Sequence, residues 1–484
     1  MSKKILDIVK EIIATRQQKK AELADIVYVG SKADVKEIIA MRQQKKVVVE
    51  GIVYVESKAD AGVYVESKAD VGVYAESKAD VRVYRINPRK CISSGSGTIP
   101  DYVTHIGESA FAHNKLTSVT IPDSVVRIGN GAFEDNELTS VTIPDSVRYI
   151  RESAFARNEL TGVIIPNGVT HIGEWAFAHN ELTSVIIPNG VTCIENSIFA
   201  RNRLTSITIP DSVTHIGEWA FAHNELTSIT IPDSVTHIGK EAFAHNRLTS
   251  ITIPSGIVHI GESAFEHNEL TSVTIPAGVT HIEARAFADN KLASITIPDS
   301  VTHISTWALM KNPALAAINV SSGNLNYTSK NGILYNKDGT VLLRWPAGLS
   351  AITIPENITH IGDGAFFGSQ LTNINIPSNV THIGGSAFAG NHLTSITIPS
   401  NVTHIDGWAF ADNRLTSIII PSNVTHIGDC AFDDNQLTSI TIGNDVSIGA
   451  SLSYDAFIKL YRENGQKAGT YAFRKEEGWA RTPG

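Results

Sequence analysis

Leu226-Thr-Ser-Ile-Thr-Ile-Pro-Asp-Ser-Val-Thr-His-Ile-Gly-Lys-Glu-Ala-Phe-Ala-His-Asn246 decides the fold. Leu226, Ile229 and Ile231 are spaced as in a short strand with its apolar side turned inward. Pro232 has no N–H to give a strand ladder, so the strand stops there. Asp233-Ser234 is turn chemistry, and Val235 and Ile238 return to the core. Ala242-Phe243 is too short for a stable helix of its own. It is predicted to form a single turn that closes the core on the side opposite the strand.

The same pattern runs outward in both directions. Ile-Pro recurs from Ile99-Pro100 every 22 residues to Ile297-Pro298, and again from Ile354-Pro355 to Ile420-Pro421. Ten units, an interruption and four more units make about 14 coils. Phe holds one position in thirteen units, from Phe111 to Phe432, and Leu309 takes it in the other. Stacked coils set these rings in one column. Asn follows three residues later, from Asn114 to Asn435, with Ser369 the exception. Its amide is suited to backbone groups of a neighbouring coil, so this column, Asn246 included, is expected to be structural. Gly after the second core Ile occurs in nine units, but Arg151, Glu195, Glu283, Ser305 and Asp406 replace it, so a positive φ is not required there. No unit can bury its own apolar face, so stacking must hold the fold together. The predicted class is a repeat solenoid, mainly β with short helical turns. It is a curved array of about 14 coils, preceded by a small β-repeat domain with helical segments.

Leu-x-x-Ile-x-Ile-Pro-x-x-Val-x-x-Ile-Gly-x-x-Ala-Phe resembles the BspA-like (Treponema pallidum-type) leucine-rich repeat, over roughly residues 99–443. Asn114 and its equivalents stand where many members of that family carry Cys. The interruption, with Asn331-Gly332 and Asn336-Lys-Asp-Gly339, also resembles the family's insert and predicts a β-hairpin. The resemblance implies a scaffold, often at bacterial surfaces, used for adhesion or other protein contacts.

The ends differ. Lys10–Lys20 returns almost unchanged at Lys36–Lys46. A ten-residue step then carries Val53-Tyr54, Val63-Tyr64, Val73-Tyr74 and Val83-Tyr84, each but the last followed by Glu-Ser-Lys-Ala-Asp. These units resemble septoil-knot-type Val-Tyr-Val domains. The predicted organisation is an N-terminal helix plus Val-Tyr-Val domain over 1–90, then a linker over 91–98. Leucine-rich repeats follow over 99–320, a hairpin insert over 321–350, a second repeat block over 351–443 and a C-terminal cap over 444–484.

The 484 residues carry a formal net charge of -9, which argues against a nucleic-acid surface. Three distant cysteines, Cys91, Cys193 and Cys430, form neither a disulfide framework nor a close ligand set. Asp7, Lys10 and Glu11 break any apolar signal segment, and no stretch reaches the length of a membrane span. Cell-surface or secreted placement follows from the resemblance, whereas the unreadable signal favours the cytoplasm.

Eleven units place His before the second core Ile, among them His105, His215, His281, His360 and His426. Adjacent coils would set them about 5 Å apart, close enough for metal bridging or pH sensing. Arg127, Tyr149 and Cys193 share that column, so His is taken as a tolerated polar residue there. The outward Thr column is broken by Ile164, Ile186 and Ile419, and β-propensity accounts for it. Trp175, Trp219, Trp307 and Trp408 share a column with Ser, Gly, Glu, Arg or Cys, and exposed Trp is a candidate anchor for a partner. No nucleophile elbow, P-loop or His-Glu-x-x-His is present in the sequence. The expectation is a non-enzymatic protein-interaction or adhesion scaffold with protein partners and neither cofactor nor metal. An intracellular scaffold is the alternative, and an enzyme using the N-terminal region a distant one.

Overall fold

The computed structural model describes residues 26–29, 46–49, 52–54, 83–84, 96–349, 353–451 and 453–482. The expected N-terminal helix, and the Val-Tyr-Val units at Val63 and Val73, lie outside those residues. Ile26–Val29 pairs in parallel with Lys46–Val49, which pairs antiparallel with Ile52–Tyr54. Two compact units divide the chain, residues 1–226 and 227–484.

In the first unit each coil contributes two short strands. Ser96–Thr98, Ser118–Thr120, Val141–Thr142 and Val163–Ile164 form one parallel sheet, with Ser96 opposite Ser118 and Val141 opposite Val163. Val83–Tyr84, His105–Ile106, Arg127–Ile128, Tyr149–Ile150 and His171–Ile172 form the other. Between them each Pro accepts a turn bond from the Val three residues on, as in Val147 N to Pro144 O, 3.0 Å. The linker expected over 91–98 therefore ends before Ser96. That strand already keeps the 22-residue register, and Val83–Tyr84 keeps it against His105–Ile106. The Ser-Gly composition that suggests a linker is compatible with a strand because Gly97 faces Leu116 and Val119 and is buried.

The Ala-Phe segment is not a turn of helix. Trp175 and His179 both have left-handed backbone, φ 59 and 55. Their N–H groups donate to the next coil, Trp175 N to Asn196 O at 3.0 Å and His179 N to Ala200 O at 2.9 Å, as does Phe177 N to Ile198 O at 3.0 Å. Ala176 and Ala178 donate back within their own coil, to Gly173 O and Trp175 O. Two linked tight turns thus alternate inward and outward bonds. A helix would keep these bonds within the coil and leave the stacking direction unbonded. Gly173 itself has no positive φ, but a Cβ there would stand 2.4 Å from Glu152 N. Close approach of two coils, not left-handed backbone, favours glycine at Gly173, and five other coils carry Arg, Glu, Ser or Asp in the same column.

Inside, Phe111, Phe133, Phe155, Phe177, Phe199 and Phe221 stack with centroids 5.1–5.9 Å apart and planes within 12°. The Asn column ties each coil to the one before. Asn180 Nδ2 donates to Phe155 O at 2.9 Å, and its Oδ1 accepts from Leu160 N at 3.0 Å. Asn136, Asn158, Asn202 and Asn224 make the same two bonds to their own preceding coils.

The second unit repeats this chemistry, with the Asn bonds recurring at Asn268, Asn290, Asn312, Asn391 and Asn413. The insert is a three-strand meander. Tyr327–Lys330, Ile333–Asn336 and Val341–Arg344 run antiparallel, and the last joins His360–Ile361 in parallel. Trp345 then heads the second aromatic stack, 5.3 Å from Phe366, with its backbone N–H donating to Ala365 O. After the last coil, Gly469–Arg474 pairs antiparallel with Ser439–Ile442, and helix Asp455–Glu463 buries Phe457, Ile458 and Tyr461. Tyr454 Oη accepts from Leu437 N at 3.1 Å, the bond an Asn amide makes elsewhere. Tyr461 Oη accepts from Val446 N and donates to Gly443 O.

Candidate binding surface

Side chains that point away from the core fall into columns, because every coil repeats the same turns. The outward strand face carries Thr120 and Thr142, then Ile164 and Ile186, which are 84% and 73% exposed. As breaks in a Thr pattern these two Ile carry no meaning. As neighbours at the outward position of an alternating strand they form an exposed apolar pair, and that signal is present in the sequence.

The His column lies on the second sheet. Thr381 Oγ1 donates to Thr359 O (3.2 Å) and Thr403 Oγ1 to Thr381 O (3.1 Å). Each hydroxyl proton is therefore committed, and Thr Oγ1 must accept from Nδ1–H of His382 or His404 at 2.9 Å. Nε2 is left with the lone pair. The rings of His360, His382 and His404 stand 4.5 and 4.7 Å apart with planes within 12°. Lone pairs on parallel rings run side by side and do not converge on one ion. Burial first, then the charges of His360 and His404, hold the His382 imidazolium below its usual pKa, with Asp406 opposing. Arg127, Tyr149 and Cys193 stand in register with the His residues of the first unit. Burial first, and Glu195 second, push the Cys193 thiol up to about 11, so it is a poor nucleophile.

The Trp column coincides with the first left-handed position of each turn pair. Trp175, Trp219 and Trp408 have φ of 59, 59 and 60, where other coils place Ser153, Ser197 or Gly364. Trp175 and Trp408 are exposed, and Trp219 is half-buried. Trp175 lies along His179 at 6.3 Å and 15°, Trp219 along His223 at 6.1 Å and 19°. Arg157 and Arg201 hold the second left-handed position one coil either side of His179. Burial first, then these two guanidinium groups, lower the His179 pKa. Trp307 differs from the other three. It has no left-handed backbone and meets Phe367 edge-on at 5.2 Å, and like Trp219 it is half-buried. Packing, rather than an open surface, accounts for Trp307.

Two parallel ladders, a column of interlocked turns and a 22-residue step define a class, the leucine-rich β-solenoid. Within it, the chain belongs to the BspA type leucine rich repeat family, whose pattern matches residues 89–204, 192–316 and 345–460. Among solved structures, the chain is similar to the pneumococcal vaccine antigen PcpA, with 24% identity over 56% of this chain and 76% of that one and a TM-score of 0.49. It is also similar to a leucine rich cell surface protein from Faecalibacterium prausnitzii, with 26% identity over 84% and 90% and a TM-score of 0.46. A leucine-rich repeat protein from Bacteroides ovatus shares 22% identity over 82% and 86%, with a TM-score of 0.41. No curated protein sequence matches the chain. No helix among the described residues is long and apolar enough to cross a membrane.

Proposed function

We propose that this protein is a non-enzymatic adhesion or interaction scaffold that engages protein partners at a cell surface, with Trp175 and Trp219 as anchors. One observation carries the reading. A bulky aromatic is held at left-handed φ, at a cost on the order of 1 kcal/mol, where Ser serves the fold in Ser153 and Ser197. The core gains little from the exposed indole of Trp175 or from the half-buried one of Trp219, whereas a partner gains a large rigid contact. Arg157, Arg201, His179 and His223 frame the two indoles with polar groups, the usual anatomy of an anchor and its rim. Contacts repeated over several coils then add up in affinity.

Affinity capture with the full chain identifies the partner, and titration with Trp175→Ala, Trp219→Ala and the double variant tests the anchor. The double variant is expected to bind at least about 30-fold more weakly, as loss of a hot spot of about 2 kcal/mol implies. Its melting temperature should stay close to that of the parent, because the site lies outside the core. Unchanged binding by the double variant would move the contact to the face of Ile164 and Ile186.

A further inference from the structure

We propose that Glu266, His267 and Asp289 form a binding site for a first-row divalent metal ion, with Zn2+ as the type. Glu266 and His267 are neighbours on one coil, and Asp289 follows His267 by one 22-residue step, which places it beside them on the next. His267 Nε2 lies 3.6 Å from Asp289 Oδ2 and 3.9 Å from Glu266 Oε1. All three ligand atoms lie within 4.8 Å of one another.

Glu266 points to a ligand independently of this clustering. It stands where Ala244 and Ala288 stand in the coils on either side, and only 8% of it is exposed. Among the described residues its carboxylate accepts no hydrogen bond. Arg285 Nη1 is 3.6 Å away, as close as any cation comes. A buried carboxylate is costly unless it is closely paired, and the repeat offers Ala as a cheap substitute. The left-handed backbone of His267 and Asp289, φ 52 at each, and the stacking of His245 on His267 at 4.4 Å fix the other two donors. The Glu241 carboxyl nearby is raised by burial first, with Lys240 opposing, Glu266 and Glu262 adding to the rise, and Arg285 opposing it.

One imidazole and two carboxylates suit Zn2+ or a similar transition ion, whereas Ca2+ and Mg2+ prefer oxygen-only sets. Tetrahedral ligands at Zn bond lengths lie about 3.4 Å apart, so the two pairs that His267 makes, at 3.6 and 3.9 Å, are near that spacing, and the two carboxylates, within 4.8 Å of each other, draw together to complete the set. The competing cations can move aside. The Arg285 side chain is 54% exposed, and that of Lys311, 3.5 Å from Asp289 Oδ2, is 52% exposed, so both have room to turn into solvent. A bound ion would staple two consecutive coils and leave a coordination position for water.

The test uses the full chain, stripped with a chelator and dialysed, with Zn2+ itself as the probe. Calorimetric titration and melting curves are compared for the parent, Glu266→Ala and Arg285→Ala. Exposed imidazoles elsewhere also take up Zn2+, so the difference between variants is the readout. The parent is expected to hold one more tightly bound ion than Glu266→Ala, with a metal-dependent rise in melting temperature that the variant lacks. Glu266→Ala restores the residue of the flanking coils, so its metal-free melt should match or exceed that of the parent. Arg285→Ala removes a competing cation and should tighten binding several-fold. Equal Zn2+ stoichiometry and affinity in the parent and Glu266→Ala, with Arg285→Ala no tighter than either, would overturn the proposal. None of these readouts involves a protein partner.

Discussion

Asn180→Ala is expected to lower the stability of its surrounding coils by about 1–3 kcal/mol. The substitution orphans one buried group of the preceding coil, Leu160 N, at a cost of about 1–3 kcal/mol, and leaves Phe155 O with only the 3.2 Å bond from Asn158 Nδ2 of its own coil. Both bonds are short and well placed, at 3.0 and 2.9 Å. Asn180→Asp should also be destabilising. It keeps an acceptor for Leu160 N but turns a carboxylate toward the carbonyls of Phe155, Phe177 and Ala178, which now receive an N–H. Thermal and denaturant melts of both variants check this. A melt unchanged from that of the parent would mean that the amide column is ornamental.

Phe177→Ala should cost a similar or larger amount, about 3–5 kcal/mol, the usual range for emptying an aromatic site in a packed core. Phe177 is fully buried and stacks on Phe155 at 5.5 Å and on Phe199 at 5.8 Å. The backbone of its coil is fixed by turn bonds at Trp175, Phe177 and His179, so the cavity has little means to collapse. Phe177→Leu, which refills part of the volume and matches Leu309 in its own coil, should recover much of the loss. In a repeat protein such damage spreads first to nearest neighbours. A denaturation curve with a separate early transition for the coils around Phe177 would fit that expectation.

Much of this architecture is legible in the sequence, because the determinants are local and repeated. Pro144 and its equivalents end each strand, Val147 answers with a turn, and the positions of Phe155 and Asn158 recur with the same step. The turn pair is not legible. Trp175, His179 and Arg201 have no intrinsic preference for left-handed backbone, and the conformation arises only because the next coil must be hydrogen-bonded. Ser96-Gly97 suggests a linker by composition, yet register with Ser118 makes it a strand. Among the surface residues, the Trp column is visible as variation within a constant frame. What separates Trp307 from the others is its contact with Phe367, some sixty residues along the chain, across the insert. Glu266 escapes notice for a different reason. A Glu at a mostly Ala position, shared with Glu134, looks like ordinary drift until its burial, and the approach of Asp289 from the next coil, give it meaning.

Order in this protein resides between coils, through bonds that reach back one repeat. Amide hydrogen exchange on the parent and Asn180→Ala tests this most directly, followed at single-residue resolution. Leu160 N, twenty residues upstream of the substitution, should be strongly protected in the parent and should lose that protection in the variant. The amides of Trp175, Phe177 and His179, which bond to the following coil, should keep most of theirs. If instead Leu160 stays protected while exchange rises only among residues 171–180, each coil is its own stabilising unit and the bonds between coils do not hold the fold.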